Sequence, residues 1–285
     1  MSPLAVGLVL ASALLHTVWN AGLKITGDKR CFNAWLLILT SVVATGPALY
    51  ALARGAHIGP ATWRLVLVSS LLQWAYYELL AFSYARADLS IVYPVSRASS
   101  PVAATLLAAA LGEWPTWGGA QGTAAIVVGV WLMSGAPTRW RELRQPGIVG
   151  ALGVGVLTAL YMAVDREALR SCPVLVYYWL EAALAGLWVT LATWRLRGAV
   201  ALGLYLRGRA AKVLTAAAGC YGAYILVLTA LTMAPSMYVV ALRGTAVLWS
   251  VLVGGLALRE EAWRRRLLCS VLMVGGIVLI AVYGR

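Results

Sequence analysis

Charge is scarce in this chain. Asp and Glu number ten in 285 residues, and all charged types together make up 12%. A water-soluble domain of this size needs far more polar surface around its core. Histidine is rarer still, with His16 and His57 alone. With so little imidazole, and no Cys-x-x-Cys pair among Cys31, Cys172, Cys220 and Cys269, no metal site or cofactor is expected. Cys31 and Cys172 fall on opposite sides of the membrane by the helix count below, which argues against a disulfide between them. A Walker motif is also missing, so ATP is not expected to drive whatever the protein does. Short strands of alternating polar and apolar residues are absent too, which excludes a transmembrane β-barrel.

What is present is hydrocarbon. The chain is 62% hydrophobic, with a mean hydropathy of +0.82. Its uncharged runs match the roughly 20 residues that carry an α-helix across a bilayer core of about 30 Å. The expected spans are 3–23, 32–53, 65–85, 89–112, 117–135, 147–166, 174–194, 212–232, 237–258 and 267–283. The first run has no basic residue before it and is of full membrane length, so it reads as a retained helix and not a cleaved signal peptide. These features predict an all-α, multi-pass protein of the cell (inner) membrane.

The net charge of +13 comes from basic residues placed mostly in the links between spans. There they meet anionic lipid headgroups and set orientation, so nucleic acid is not an expected partner. Links after odd-numbered spans carry 16 Lys and Arg, against 5 in the even-numbered links and the C-terminus. The positive-inside rule therefore places the odd links in the cytoplasm and both termini outside.

Two stretches repeat. "ADLSIVYPVSRASSP" (87–101) and "MAPSMYVVALRGTAV" (233–247) align at a shift of 146, which lays Ser90 on Ser236 and Arg97 on Arg243. Each arginine heads a Gly/Ala/Leu-rich run that ends in an acidic corner, "LGEW" (111–114) and "LREEAW" (258–263). A similar shift lays 74–84 over 220–230. The link 136–147 divides the spans five and five. An odd number of spans per copy makes the copies cross the membrane in opposite senses. The expected fold is ten transmembrane helices as two inverted five-helix repeats around a central cavity: 1–138 (helices 1–5) and 139–285 (helices 6–10).

The blocks "LLHTVWNAGLKITGDK" (14–29), "ARADLSIVYPVSRASSPVAATLLAAALGE" (85–113) and "ALTMAPSMYVVALRGTAVLWSVLVGGLALREE" (230–261) resemble the EamA-type branch of the drug/metabolite transporter superfamily. The resemblance covers nearly the whole chain as two EamA repeats. It implies a ten-helix basket that moves small polar or amphipathic metabolites, such as amino acids or related organic anions, without ATP. It also implies termini in the cytoplasm, opposite to the charge count. A subset of such proteins accompanies phosphonate use, which makes organophosphonates an alternative substrate class.

Ionisable residues inside apolar spans are the candidates for a site, because each costs about 2.5 kcal/mol or more to keep in hydrocarbon. On helix 1, His16 and Asn20 are four apart and Lys24 follows at the same spacing, with Trp19 beside them. On helix 3, "QWAYYELLAF" (73–82) offers Trp74, Tyr77 and Glu78; on helix 7, Tyr177 and Glu181 repeat the aromatic–carboxylate spacing of four. Either glutamate is a candidate carrier of a coupling proton. Tyr93 lies one turn before Arg97. Arg97 and Arg243 suit a substrate carboxylate or phosphonate, since a planar guanidinium binds such groups through two hydrogen bonds. Their other reading is neutralisation of Glu78 or Glu181. Gly118 and Gly122 form a GxxxG, and "VGG" (274–276) is similarly small, which favours close helix packing.

The reading that absorbs most of these features is a secondary transporter, an exporter or exchanger of small metabolites by alternating access. It is not an enzyme, its partners are a small-molecule substrate and membrane lipids, and it is a monomer or homodimer. A membrane-embedded enzyme would gather acids or histidines with a nucleophile at one membrane face, whereas the charges here spread over helices 1, 3, 4, 7 and 9. A non-transporting membrane partner would leave the buried ionisable residues without a use.

Overall fold

A computed structural model describes residues 1–24, 28–87, 89–134, 144–246, 249 and 263–283, and the side chains of all but 18–24, 89–91, 93–94, 133–134 and 263–270. The described residues form ten helices and no strand. These are α1 (Pro3–Lys24), α2 (Lys29–Ala53), α3 (Pro60–Tyr84), α4 (Leu89–Ala110), α5 (Trp117–Ser134), α6 (Pro146–Ala168), α7 (Val174–Leu206), α8 (Ala210–Leu231), α9 (Ser236–Arg243) and α10 (Trp263–Tyr283).

Local chemistry explains many of the ends. Asp28 caps α2, its carboxylate accepting from the backbone N–H of Arg30 (3.0 Å) and Cys31 (3.2 Å). Pro60 and Pro146 open α3 and α6, where a missing N–H costs nothing. This is why α3 begins five residues ahead of the expected span at 65. After α4, Gly112 adopts φ +85, a left-handed turn that only glycine takes without strain.

Two expected boundaries change. The link expected over 195–212 is largely helical, since α7 continues to Leu206. It bends at Gly198, which takes φ +81, and the segment beyond it turns against α2. There the Trp35 indole donates to the Leu202 carbonyl at 2.9 Å, and Leu202 and Tyr205 are buried. The ninth span was expected unbroken over 237–258, but α9 stops at Arg243. Gly244 and Thr245 follow as a turn, and both the Thr245 backbone N–H (3.1 Å) and its hydroxyl (2.6 Å) donate to the Leu242 carbonyl. Most of that span after Ala246 lies outside the described residues, as does the acidic corner 258–262.

Among the described residues five helices, α2, α3, α6, α7 and α8, are long and apolar enough to cross a bilayer. Large apolar side chains such as Val42, Leu106, Val156, Leu191 and Val278 point outward. An all-helical chain with this surface has the make-up of a helical membrane protein.

The most extensive helix pairs each join one helix before residue 138 to one after it: α5 with α10, α2 with α7, α3 with α6, α1 with α8, and α4 with α6. The largest apolar cluster accordingly draws on both halves, from Val9, Val66 and Ile126 to Met162, Leu228 and Leu242. Lipid gives helices no hydrophobic reason to associate, so small residues and interhelical hydrogen bonds must do so. Both are present. A Cβ on Gly276 of α10 would sit 2.5 Å from the Gly122 carbonyl oxygen of α5, so these backbones touch. The Ser12 hydroxyl of α1 donates to the Ala223 carbonyl of α8 (2.6 Å), and the Trp188 indole of α7 donates to Ser70 of α3 (3.2 Å).

Candidate functional site

The helices of both halves enclose a cavity of about 50 Å³. On α3 its lining comes from Gln73, Tyr76, Tyr77 and Leu80, spaced as one face of a helix. From α7 come Tyr178 and Glu181, and from α8 Cys220, Ala223 and Tyr224. His16 of α1, Asn33 and Leu37 of α2, Tyr161 of α6 and Arg243 of α9 complete it. The volume holds a few waters and lies well below the roughly 300–1,000 Å³ of drug-sized ligand sites. This conformation is therefore nearly closed around its polar groups.

Both arginines are buried, each less than a tenth exposed. Arg97 on α4 donates from Nη2 to His16 Nε2 at 3.1 Å. Arg243 ends α9, where the helix dipole favours a cation. Its Nη1 donates to the Tyr161 hydroxyl at 3.4 Å, and its guanidinium lies over the Tyr224 ring, 5.2 Å from the centroid. Its Nε has no hydrogen-bond partner among the described residues. The two arginine segments are neighbours, since a Cβ on Gly244 would come 3.7 Å from the Arg97 carbonyl oxygen.

Two carboxylates are buried here. Glu181 on α7 is 1% exposed, and its Oε1 has no hydrogen-bond partner among the described residues. Asp165 on α6 is fully buried and fully engaged: the Ser69 and Tyr177 hydroxyls donate to Oδ1 and the Tyr224 hydroxyl to Oδ2, each at 2.5 Å. Gln73 Nε2 adds a bond to the Tyr224 hydroxyl at 3.4 Å. Tyr224 thus links Asp165 to Arg243. The rings pack in a chain, with Tyr76 edge-on to Tyr77 (5.2 Å) and Tyr161 (5.9 Å), and Tyr178 tilted against Tyr224 (5.0 Å).

Of the residues singled out in the sequence, the structure brings His16, Tyr77, Glu181 and Arg243 together in the cavity lining, with Arg97 bonded to His16. Tyr177 is buried beside them and bound to Asp165. Glu78 is elsewhere: it pairs with Arg30 at 2.6 Å, so neither Arg97 nor Arg243 neutralises it. Trp74 is 37% exposed and does not line the cavity. Both residues stand one position round α3 from the inward face, so helix rotation turns them away. The side chains of Trp19, Asn20, Lys24 and Tyr93 lie outside the described residues. Asp165, Gln73, Tyr76, Tyr161, Tyr178 and Tyr224 were not anticipated. Asp165 sits in "VDREA" (164–168), which reads as a charged helix end, yet it continues the buried stripe of Ala151, Val154, Thr158 and Met162. That periodicity was the available signal.

Among the described residues, no three His, Cys, Asp or Glu side chains gather as a metal site would require. No protein-family model and no curated protein matches this chain. A solved crystal structure does match, with a TM-score of 0.76 and 16% identity over 99% of this chain and 96% of the other. At that identity the likeness shows a shared fold and nothing about activity.

Proposed function

We propose that this protein is a secondary transporter of small polar metabolites, working by alternating access between two inverted five-helix repeats. The observation that carries this reading is a nearly closed cavity, walled by both halves, that holds the buried ionisable side chains of Arg243 and Glu181. Charge in a membrane interior is costly and is retained where a substrate or ion uses it.

The packing supports the repeats. Exchanging helices 1–5 for 6–10 turns the α3–α6 contact into α1–α8, α4–α6 into α1–α9, and α3–α7 into α2–α8, all of which occur. The contacts α2–α7, α4–α9 and α5–α10 map onto themselves. A pseudo-two-fold axis between two like units produces this pattern, and substrate sites of such transporters lie on that axis near the midplane. The end of α9 at Arg243 also fits, because it sets that side chain at a helix end in the cavity lining.

The test is uptake by proteoliposomes containing the purified protein, using pools of labelled amino acids, organic acids and phosphonates. Counterflow of at least one pool should depend on the protein and fall at least about tenfold in Arg243→Ala. No counterflow of any pool by folded protein overturns the reading.

A further inference from the structure

A second and larger hollow opens where the start of α2, the end of α3 and the bend of α7 come together. It measures about 520 Å³, within the range of sites that hold drug-sized ligands. Four of its lining side chains are cations, Lys29, Arg30, Arg86 and Arg197, set against the single acid Asp28. Two of the cations are paired: Arg197 Nε with Asp28 at 3.2 Å, and Arg30 with Glu78 at 2.6 Å. Among the described residues the other two form no ion pair. The Lys29 ammonium instead lies over the Tyr84 ring, 4.9 Å from its centroid, and the Arg86 guanidinium over the Phe82 ring at 3.7 Å. A ring face holds a cation in place without cancelling its charge. The hollow thus keeps an excess of positive charge in the form of one ammonium and one guanidinium. A phosphate group suits both, since the guanidinium fork binds its oxygens in pairs and the ammonium acts as a point charge.

The outer face of α3 indicates what carries that phosphate. Leu67, Leu71, Trp74 and Phe82 fall on one stripe by helical spacing, and all four are exposed, at 36–44%. Phe82 belongs both to this stripe and to the wall of the hollow. From Phe82 back to Leu71 the stripe runs about 16 Å, the depth of one leaflet of a bilayer core of about 30 Å. Glu78 stands on the same face, and its pairing with Arg30 offsets the repulsion a bare carboxylate would offer an anion. We infer that this hollow binds the phosphate of an anionic phospholipid, whose acyl chain lies along the α3 stripe. The hollow stands at the membrane end that carries most of the basic links, the level of the headgroups. A choline lipid has the same phosphate, but it brings a further cation up to Lys29 and Arg86. Anionic lipid is therefore preferred.

This inference is independent of transport and concerns a different part of the molecule. The full-length protein in detergent is titrated with phosphatidylglycerol and with phosphatidylcholine of the same acyl chains, and bound lipid is counted by native mass spectrometry. One phosphatidylglycerol should bind about tenfold more tightly than phosphatidylcholine, as two unpaired cations near a headgroup imply. Lys29→Gln combined with Arg86→Gln should remove that preference. Arg207→Gln combined with Lys212→Gln changes basic residues of the same membrane side outside the hollow, and should leave the preference intact. Glycerol phosphate, the soluble headgroup without acyl chains, should not displace the lipid at equal concentration. If the first variant does not fold, the two lipids and glycerol phosphate on the parent protein still decide. Equal binding of the two lipids overturns the inference, as does a preference that survives loss of Lys29 and Arg86. A preference lost equally with Arg207 and Lys212 marks a diffuse surface effect and also overturns it. Displacement by glycerol phosphate at equal concentration makes the hollow a site for soluble anions and overturns the lipid assignment.

Discussion

The Arg30 guanidinium lies 2.6 Å from the Glu78 carboxylate, and that pairing takes Glu78 out of the cavity its own helix helps to line. Arg30 opens α2 and Glu78 stands near the end of α3, so the pair ties two helix ends together on the side carrying most of the basic links. Both side chains are about one-quarter exposed, at 24% and 25%. A screened pair of this kind contributes roughly 0–1 kcal/mol. Glu78→Gln should therefore lower the melting temperature only slightly and leave uptake near that of the parent. Loss of uptake in a folded Glu78→Gln protein would return this residue to the site.

Asp165 is the opposite case. Removing its carboxylate strands the hydroxyls of Ser69, Tyr177 and Tyr224, and each orphaned buried group costs about 1–3 kcal/mol. Asp165→Ala should sharply reduce the yield of folded protein and its melting temperature in detergent. Asp165→Asn keeps one carbonyl oxygen as an acceptor and should lose less. Equal melting of Asp165→Ala and the parent would show that the network does not hold α3, α6, α7 and α8 together.

The contact of α5 with α10 can be tested with two adjacent glycines. A Cβ at Gly276 meets the Gly122 carbonyl oxygen at 2.5 Å, whereas a Cβ at Gly275 meets nothing within 4 Å. Gly276→Ala should destabilise by about 1–3 kcal/mol, as overpacking does. Gly275→Ala should be neutral or gain about 0.5–1 kcal/mol from lost chain freedom. Thermal unfolding of the two variants checks this, and the reverse order would contradict the packing.

Orientation follows from the 16 basic residues in odd-numbered links against 5 elsewhere outside the spans. A C-terminal reporter active only outside the cytoplasm should be active. A single cysteine at Arg86, in a background without the native cysteines, should be labelled only from the cytoplasmic side. The opposite pair of results would put both termini inside, as the EamA resemblance implies.

Much of the architecture was legible because it depends on composition. Each apolar run carries helix among the described residues, and Gly118, Gly122 and Gly276 do sit at the α5–α10 contact. The bend at Gly198 and the stop after Arg243 were not legible. The first depends on what the segment beyond it packs against, as Leu202 does against Trp35, and the second on the local turn at Gly244 and Thr245.

The site was half legible for a related reason. Glu181 and Arg243 stand out as charges within apolar runs, whatever their neighbours are. On α3, by contrast, Trp74 with Glu78 and Gln73 with Tyr77 offer the same spacing of four, and no local signal ranks them. Asp165 was hidden among the charges of a helix end, although its place on the buried stripe of α6 marks it.

By itself, then, the order of residues determined that this chain is helical and suited to a bilayer, where most helices begin, and which charges have to be accounted for. These depend on hydropathy, proline and glycine chemistry, and the cost of charge in hydrocarbon, all of which act within a few residues. The tertiary structure decided which face of each helix turns inward, and with it the assembly of Arg243, Glu181, Asp165 and the tyrosines around one cavity. That choice belongs to no single helix, because the rotation of each one is set by the neighbours it packs against.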